Sequence, residues 1–214
     1  MPRVVWDQAT YDLWYNGWVD GALVTYGRAH QYAEADGFTP EQSGVARRRD
    51  FLIANAMPGL TATDRILVGG CGLGYLMARF RAAGYPNCWG IENSPHIESI
   101  KNVEAEDATI WVVDDFTGGG RVRNKLRTLT GDDEFDWVIT EGLLESFDDA
   151  ELPPYFSAAE SVLAPGRPLT AIIHYVWVPP FAADVAGVLN EKSIDAWKAM
   201  QPAHTWVSDT GEVR

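Results

Sequence analysis

Sulfur is scarce in this chain. Cys71 and Cys88 are the only cysteines in 214 residues, and they are not in CxxC spacing. A disulfide framework or a zinc cluster needs more thiols at closer intervals, so both are excluded as organising features. Positive charge is short as well: 17 Lys and Arg stand against 30 Asp and Glu, for a formal net charge of −13. Nucleic acid and anionic membranes recruit proteins through bulk positive charge, so neither is an expected partner. The basic residues that exist form two short runs, Arg47 to Arg49 and Arg121, Arg123, Lys125 and Arg127. Both read as solvated helix faces rather than phosphate sites. No apolar run approaches the length of a membrane span, and the start MPRVVWDQATYDLW lacks the apolar centre of a secretion signal. A cytoplasmic location is the resulting expectation.

Hydrophobic residues make up 46% of the chain, enough for a substantial core. Aromatic residues cluster early, at Trp6, Tyr11, Trp14, Tyr15 and Trp18. Such a cluster suits a helix packed over a domain, and it equally suits the wall of a pocket. Residues 1–60 are therefore assigned to an aromatic-rich helical extension packed on the core, and residues 61–214 to the main domain. In the extension, Thr39 as N-cap, Pro40 in the first turn and Gln42 in a capping box predict a helix running to about Met57, where Pro58 and Gly59 stop it.

From Arg65 onward, strand and helix signals alternate. Ile66 to Val68 read as a short, wholly apolar strand, as expected of one covered on both faces. A glycine-rich loop follows, then a helix from about Tyr75 to Ala83 that ends at Gly84. Cys88 to Ile91 form the second strand, closing on Glu92, and Ser94–Pro95 open another helix. The third strand, Ile110 to Val113, closes on Asp114 and Asp115. A basic helix leads to a fourth strand through Trp137, Val138 and Ile139. A helix from about Asp149 to Leu163 tolerates Pro153 and Pro154 near its first turn, and Leu169 to Ile173 form the fifth strand. This alternation predicts an α/β three-layer sandwich on a mostly parallel, doubly wound sheet. Ligands of such sheets bind beyond the carboxyl ends of the strands, where Gly70, Glu92, Asp114, Asp115 and Glu141 gather.

The loop GGCGLG lies between a strand and a helix, so its glycines allow a tight turn and close approach of a ligand to the main chain. The helix that follows offers amide donors and a positive dipole end to an anionic group. The dinucleotide fingerprint GxGxxG fails in both registers, because Tyr75 and Met77 occupy the sixth positions, and the spacing present is GxGxG. Glu92 at the end of the second strand is placed to accept both hydroxyls of a ribose. One member of the Asp114–Asp115 pair is placed to accept from an adenine amino group, with Asp115 favoured by the adjacent Phe116.

The segments RILVGGCGLGYL, WGIENS, VVDDF, EFDWVITEGLLESFDD and SVLAPGRPL together resemble the class I S-adenosylmethionine-dependent methyltransferases over residues 60–175. The resemblance implies the same fold, S-adenosylmethionine as cofactor, and a cofactor site built from Gly70, Cys71, Gly72, Gly74, Glu92, Asp114, Asp115 and Glu141. It also implies methyl transfer to a small molecule or a protein side chain. In the LAPG turn Gly166 matches the family and Arg167 replaces its second glycine. The acid that the family carries in the first strand is Val68 here, a loss for which Glu141 or an N-terminal residue can compensate. After His204 to Val207 only seven residues remain, so the last strand of the family sheet is expected to be missing or shortened.

Methyl transfer from a sulfonium relies on holding nucleophile and methyl at near-attack geometry, and needs a base only when the acceptor must lose a proton. Glu141 and His174 are the candidates for that base, although a lone histidine is more often structural. Glu145, Tyr175, Tyr11 and Tyr15 are further candidates for contact with substrate or cofactor. The segments Leu152-Pro153-Pro154-Tyr155 and Val178-Pro179-Pro180-Phe181 look like the motif of amino-type nucleic-acid methyltransferases but do not follow the fourth strand. They are read as decoys. An aminopropyl transferase would place an acid directly after the fourth strand, where Thr140 comes first. The main alternative is a protein that keeps the fold, has lost catalysis and serves a binding or structural role.

Overall fold

In the computed structural model, the described residues are 49–50, 52–71, 75–92, 111–113, 117–141, 143–144, 147–167, 169–172 and 194–200. They contain five strands: β1 (Ile66–Gly69), β2 (Cys88–Glu92), β3 (Trp111–Val113), β4 (Trp137–Glu141) and β5 (Leu169–Ile172). Four α-helices accompany them: α1 (Tyr75–Ala82), α2 (Gly120–Thr130), α3 (Leu152–Ser161) and α4 (Ile194–Met200). The strands form one sheet in the order β3-β2-β1-β4-β5, with every pairing parallel. The predicted α/β architecture with a doubly wound sheet is thus present, and each of the five strands lies within a residue or two of its expected place.

Side-chain alternation along the strands divides the core in two. Ile66 and Val68 of β1, Cys88 of β2, and Trp137 and Ile139 of β4 pack with Leu76, Met77 and Phe80 of α1. On the opposite face Leu67, Ile91 and Val138 pack with Val122 and Leu126 of α2 and with Leu152, Tyr155 and Ala159 of α3. Each large aliphatic side chain so buried contributes about 1.5–3 kcal/mol, and β1 is buried at all four of its positions. That burial on both faces explains why its sequence is an unbroken apolar run rather than an alternating one.

Two helix boundaries differ from expectation. Leu52–Ala56 form a π-helical turn, not the end of a regular α-helix. The Met57 amide donates to the Leu52 carbonyl at 2.7 Å, and both side chains are wholly buried in the α1 layer. Residues five apart diverge around an α-helix, and the wider turn brings them to one face. The expected stop at Met57 holds, whereas the start at Thr39 lies outside the described residues. Helix α3 begins at Leu152 rather than Asp149. The Asp148 carboxylate accepts from the amides of Ala150 and Glu151, and Glu151 in turn accepts from the Asp148 amide at 3.0 Å. This reciprocal cap closes a separate turn before the helix, and Pro153 and Pro154 then fall inside the first turn, where their missing amides cost nothing.

Charged groups are concentrated at the amino-terminal end of the sheet. Arg65 bonds the Glu134 carbonyl at 2.6 Å and the Thr130 hydroxyl at 2.8 Å, pairs with Asp132 at 2.7 Å, and lies over the rings of Trp89 and Phe135. Asp64 is buried, accepts from the Thr61 amide at 2.8 Å and from the Trp137 indole at 3.3 Å. Arg167, which stands where the resembled family has glycine, pairs with Asp136 at 2.8 Å. From the basic helix α2, Arg123 and Arg127 both bond the buried Asp133, at 2.7 and 2.8 Å. Two residues of this basic run therefore fasten α2 to the turn that enters β4.

Arg127 beside it, opposed by burial and aided by Arg123, holds the Asp133 carboxyl below its usual value. A carboxylate with a depressed folded pKa adds stability above its unfolded pKa, about 3.9, and that contribution is lost as pH falls through the folded value. The thermal midpoint should therefore drop below about pH 4. Asp133→Asn should lower the midpoint at neutral pH and flatten the acid limb, as followed by circular dichroism melts. An unchanged acid limb would mean that the pair is not coupled to folding.

Candidate functional site

The sheet changes direction of growth at β1: β2 and β3 lie on one side of it, β4 and β5 on the other. Open parallel sheets leave a crevice at such a switch point, beyond the carboxyl ends of the strands. Register fixes what stands there. Gly69, the last residue of β1, pairs with Ile91 of β2 and Thr140 of β4. One step further, Glu92 and Glu141 end the two flanking strands, and Gly70 stands between them. β3 extends the edge, since Val113 pairs with Glu92 and Asp114 follows it in the chain.

Gly70 has φ +65°, a conformation that costs other residues a steric penalty. A Cβ here would also lie 2.8 Å from the Leu143 side chain, so the turn needs glycine for space as well as conformation. The amides of Gly70 and Cys71 both donate to the Ile91 carbonyl, at 2.9 and 3.2 Å. This sharpens the expected role of the loop. The first two amides tie the turn to β2, so amide donors for a ligand must come from later residues, among which Gly72 and Gly74 lie outside the described set.

Glu92 is 8% exposed, which places its carboxylate at the buried end of β2. Burial of an acid at a strand end is costly and is not what a surface residue would show. Glu141 ends β4 as its backbone dictates. Asp114, Asp115, Glu145, His174, Tyr175, Tyr11 and Tyr15 lie outside the described residues, as does the early aromatic cluster. Val68 is 2% exposed and belongs to the apolar layer with Leu76, Met77, Phe80 and Ile139. An acid at that position would be buried among hydrocarbon, which gives Val68 a packing role.

Three residues that shape the crevice, Gly90, Leu143 and Tyr155, escaped the sequence reading. Gly90 of β2 is filled over by the sulfurs of Met77 and Cys71, so no Cβ fits there. Its signal was present, because an isolated glycine within a strand marks close approach. Leu143 packs on Gly70, and Tyr155 of α3 presents its hydroxyl to Gly69, where a Cβ would lie 2.6 Å away. Thr140 is wholly buried beside them in register. The Leu152-Pro153-Pro154-Tyr155 segment is, as expected, not a motif following β4: it forms the first turn of α3. Among the described residues no group of three or more His, Cys, Asp or Glu is arranged to hold a metal ion, and no helix is long and apolar enough to cross a membrane.

The two thiols differ sharply. Cys88 is wholly buried, and burial pushes its thiol far above the usual range despite the nearby Arg81. Cys71 is half-buried at the glycine turn. Since the thiolate is the reactive form, a disulfide reagent should label Cys71 in the native protein and reach Cys88 only after unfolding. Equal labelling of both in the native state would contradict the burial of β2. Gly69→Ala should destabilise the protein by about 1–3 kcal/mol through overpacking against Tyr155, measurable by urea unfolding.

No family model matches the chain, and no curated protein does. Solved structures do share part of its chain course. An S-adenosylmethionine-bound amino pentose methyltransferase from Micromonospora echinaspora is 23% identical, with a TM-score of 0.47, over 72% of this chain and 57% of that one. A glycopeptide N-methyltransferase complexed with S-adenosylmethionine is 17% identical, with a TM-score of 0.45, over 59% and 52% respectively. Magnesium protoporphyrin IX methyltransferase from Synechocystis PCC 6803 is 17% identical, with a TM-score of 0.48, over 73% and 67%. The chain thus spans little more than half the length of the first two.

Proposed function

We propose that the chain binds S-adenosylmethionine at the carboxyl edge of β1, β2 and β4 and transfers its methyl group to a small molecule or a protein side chain. The observation that carries this reading is the placement of the buried Glu92 carboxylate one residue beyond the partner of Gly69, next to a left-handed glycine turn at the switch point of the sheet. A carboxylate at that position suits a ribose, because it can accept from both hydroxyls at once. The donor set fits the group: a close-approach turn at Gly70, an acceptor at Glu92 and, by sequence, acids at Asp114 and Asp115 directly after β3.

When bound, S-adenosylmethionine supplies an activated methyl on a sulfonium. The residues of this chain then have four tasks. Glu92 anchors the ribose, and Asp115 or Asp114 accepts from the adenine amino group. Glu141 takes the ammonium of the methionine end, in place of the acid that Val68 does not supply. Glu141 or His174 receives a proton where the acceptor carries one. The formal net charge of −13 favours a small-molecule or protein acceptor over nucleic acid. Val68 also favours a second reading, in which the fold serves binding without turnover, because the apolar end of β1 offers no charge to the amino-acid tail.

Calorimetric titration with S-adenosylmethionine and S-adenosylhomocysteine tests the proposal. Glu92→Ala should weaken binding by about tenfold to a hundredfold, as expected for lost hydrogen bonds to a charged acceptor, and Gly72→Arg should abolish it. Absence of binding by the wild-type chain at millimolar ligand would refute the cofactor assignment. Binding with no methyl transfer to any small-molecule or protein acceptor would favour the second reading.

A further inference from the structure

We propose that Tyr155 is a positioning residue for the glycine turn: its hydroxyl, set between Thr140 and the backbone of Gly69, holds the end of β1 where the turn can receive a cofactor. This rests on the reading of the turn as an S-adenosylmethionine site and adds to it a residue from the far helix layer.

The hydroxyl reaches the β1 backbone closely enough that a Cβ on Gly69 would lie 2.6 Å from it. Thr140 is the register partner of the same Gly69, and both hydroxyl oxygens are buried. They face one another in a contact that does not reach the geometry of a full hydrogen bond. The ring packs against two others, with Phe147 at 5.2 Å and Phe156 at 6.1 Å between centroids. Tyr155 itself is 1% exposed. For the core alone a phenylalanine would serve, because burying a hydroxyl costs free energy that a ring carbon does not. The polar atom instead sits against Gly69, the residue preceding the turn. Leu143 packs on Gly70 next to it, so Gly69 and Gly70 are braced together from the β4 side while the Ile91 carbonyl holds the turn from the β2 side. Burial raises the phenol pKa, and the nearby Thr140 hydroxyl works against that rise, so the group stays neutral at physiological pH.

The test is calorimetric titration of the full chain with S-adenosylhomocysteine, with thermal midpoints recorded in parallel. Tyr155→Phe and Thr140→Val should each weaken binding about two- to threefold, less than a fully formed hydrogen bond would give. The double variant should bind no more weakly than either single one, as required of two groups acting through one contact. Thr140→Ser keeps the hydroxyl and should restore wild-type affinity. Lower midpoints with unchanged affinity in the folded variants would overturn the inference, since that is what a purely structural pair would give. If Tyr155→Phe does not fold, Thr140→Val and Thr140→Ser decide alone, and equal affinity in the two overturns it. Failure of the wild-type chain to bind is a different result, which removes the cofactor reading and the inference with it.

Discussion

The carbonyl of Ile91 is the acceptor on which the site depends. It receives two amides, from Gly70 and Cys71, and so decides where the chain goes when it leaves β1. The turn is drawn toward β2 rather than across β4, which sends Cys71 over Gly90 and leaves Glu92 beside the turn. Only glycine fits at position 90 once the sulfurs of Cys71 and Met77 occupy that space. One backbone acceptor therefore ties together the conformation of Gly70, the composition of β2 and the position of the acid that ends it.

The two ends of the sheet are used differently. At the amino-terminal end, Arg65, Arg123, Arg127 and Arg167 are matched with Asp132, Asp133 and Asp136, and the contacts link turns that are far apart in sequence. Exposed ion pairs of this kind add little individually, but Asp133 and Asp64 are buried, and a buried carboxylate stripped of its partners is strongly destabilising. At the carboxyl end the same sheet carries acids without an equal number of arginines nearby in sequence.

Arg167 shows how a departure from a family pattern acquires a physical account. As a break in a glycine motif it carried no explanation in the sequence. Its guanidinium pairs with Asp136, whose other oxygen accepts from the Arg65 amide at 2.9 Å, so the entrance to β5 is fastened to the entrances of β1 and β4. Val68 is the parallel case. The residue at that position packs into the apolar layer with Leu76, Met77, Phe80 and Ile139.

The element order, the parallel sheet and the gathering of acids at one edge were legible in the chain itself. Strand burial, helix caps and glycine stops are local signals, readable over a few residues. Legible too was the decoy at Leu152-Pro153-Pro154-Tyr155, because proline in a helix's first turn is a local matter. What the tertiary structure decided was which residues meet: Gly69 with Tyr155, Gly70 with Leu143, Gly90 with Cys71 and Met77, Asp133 with Arg123 and Arg127. It also decided that Leu52 and Met57 share a face through a π-helical turn, and that the loop's first two amides belong to β2. Each of these depends on packing between segments distant in sequence or on a choice among hydrogen-bond acceptors. Neither is encoded in hydrophobic periodicity, which is why the edge of the sheet could be read from the chain and the shape of its crevice could not.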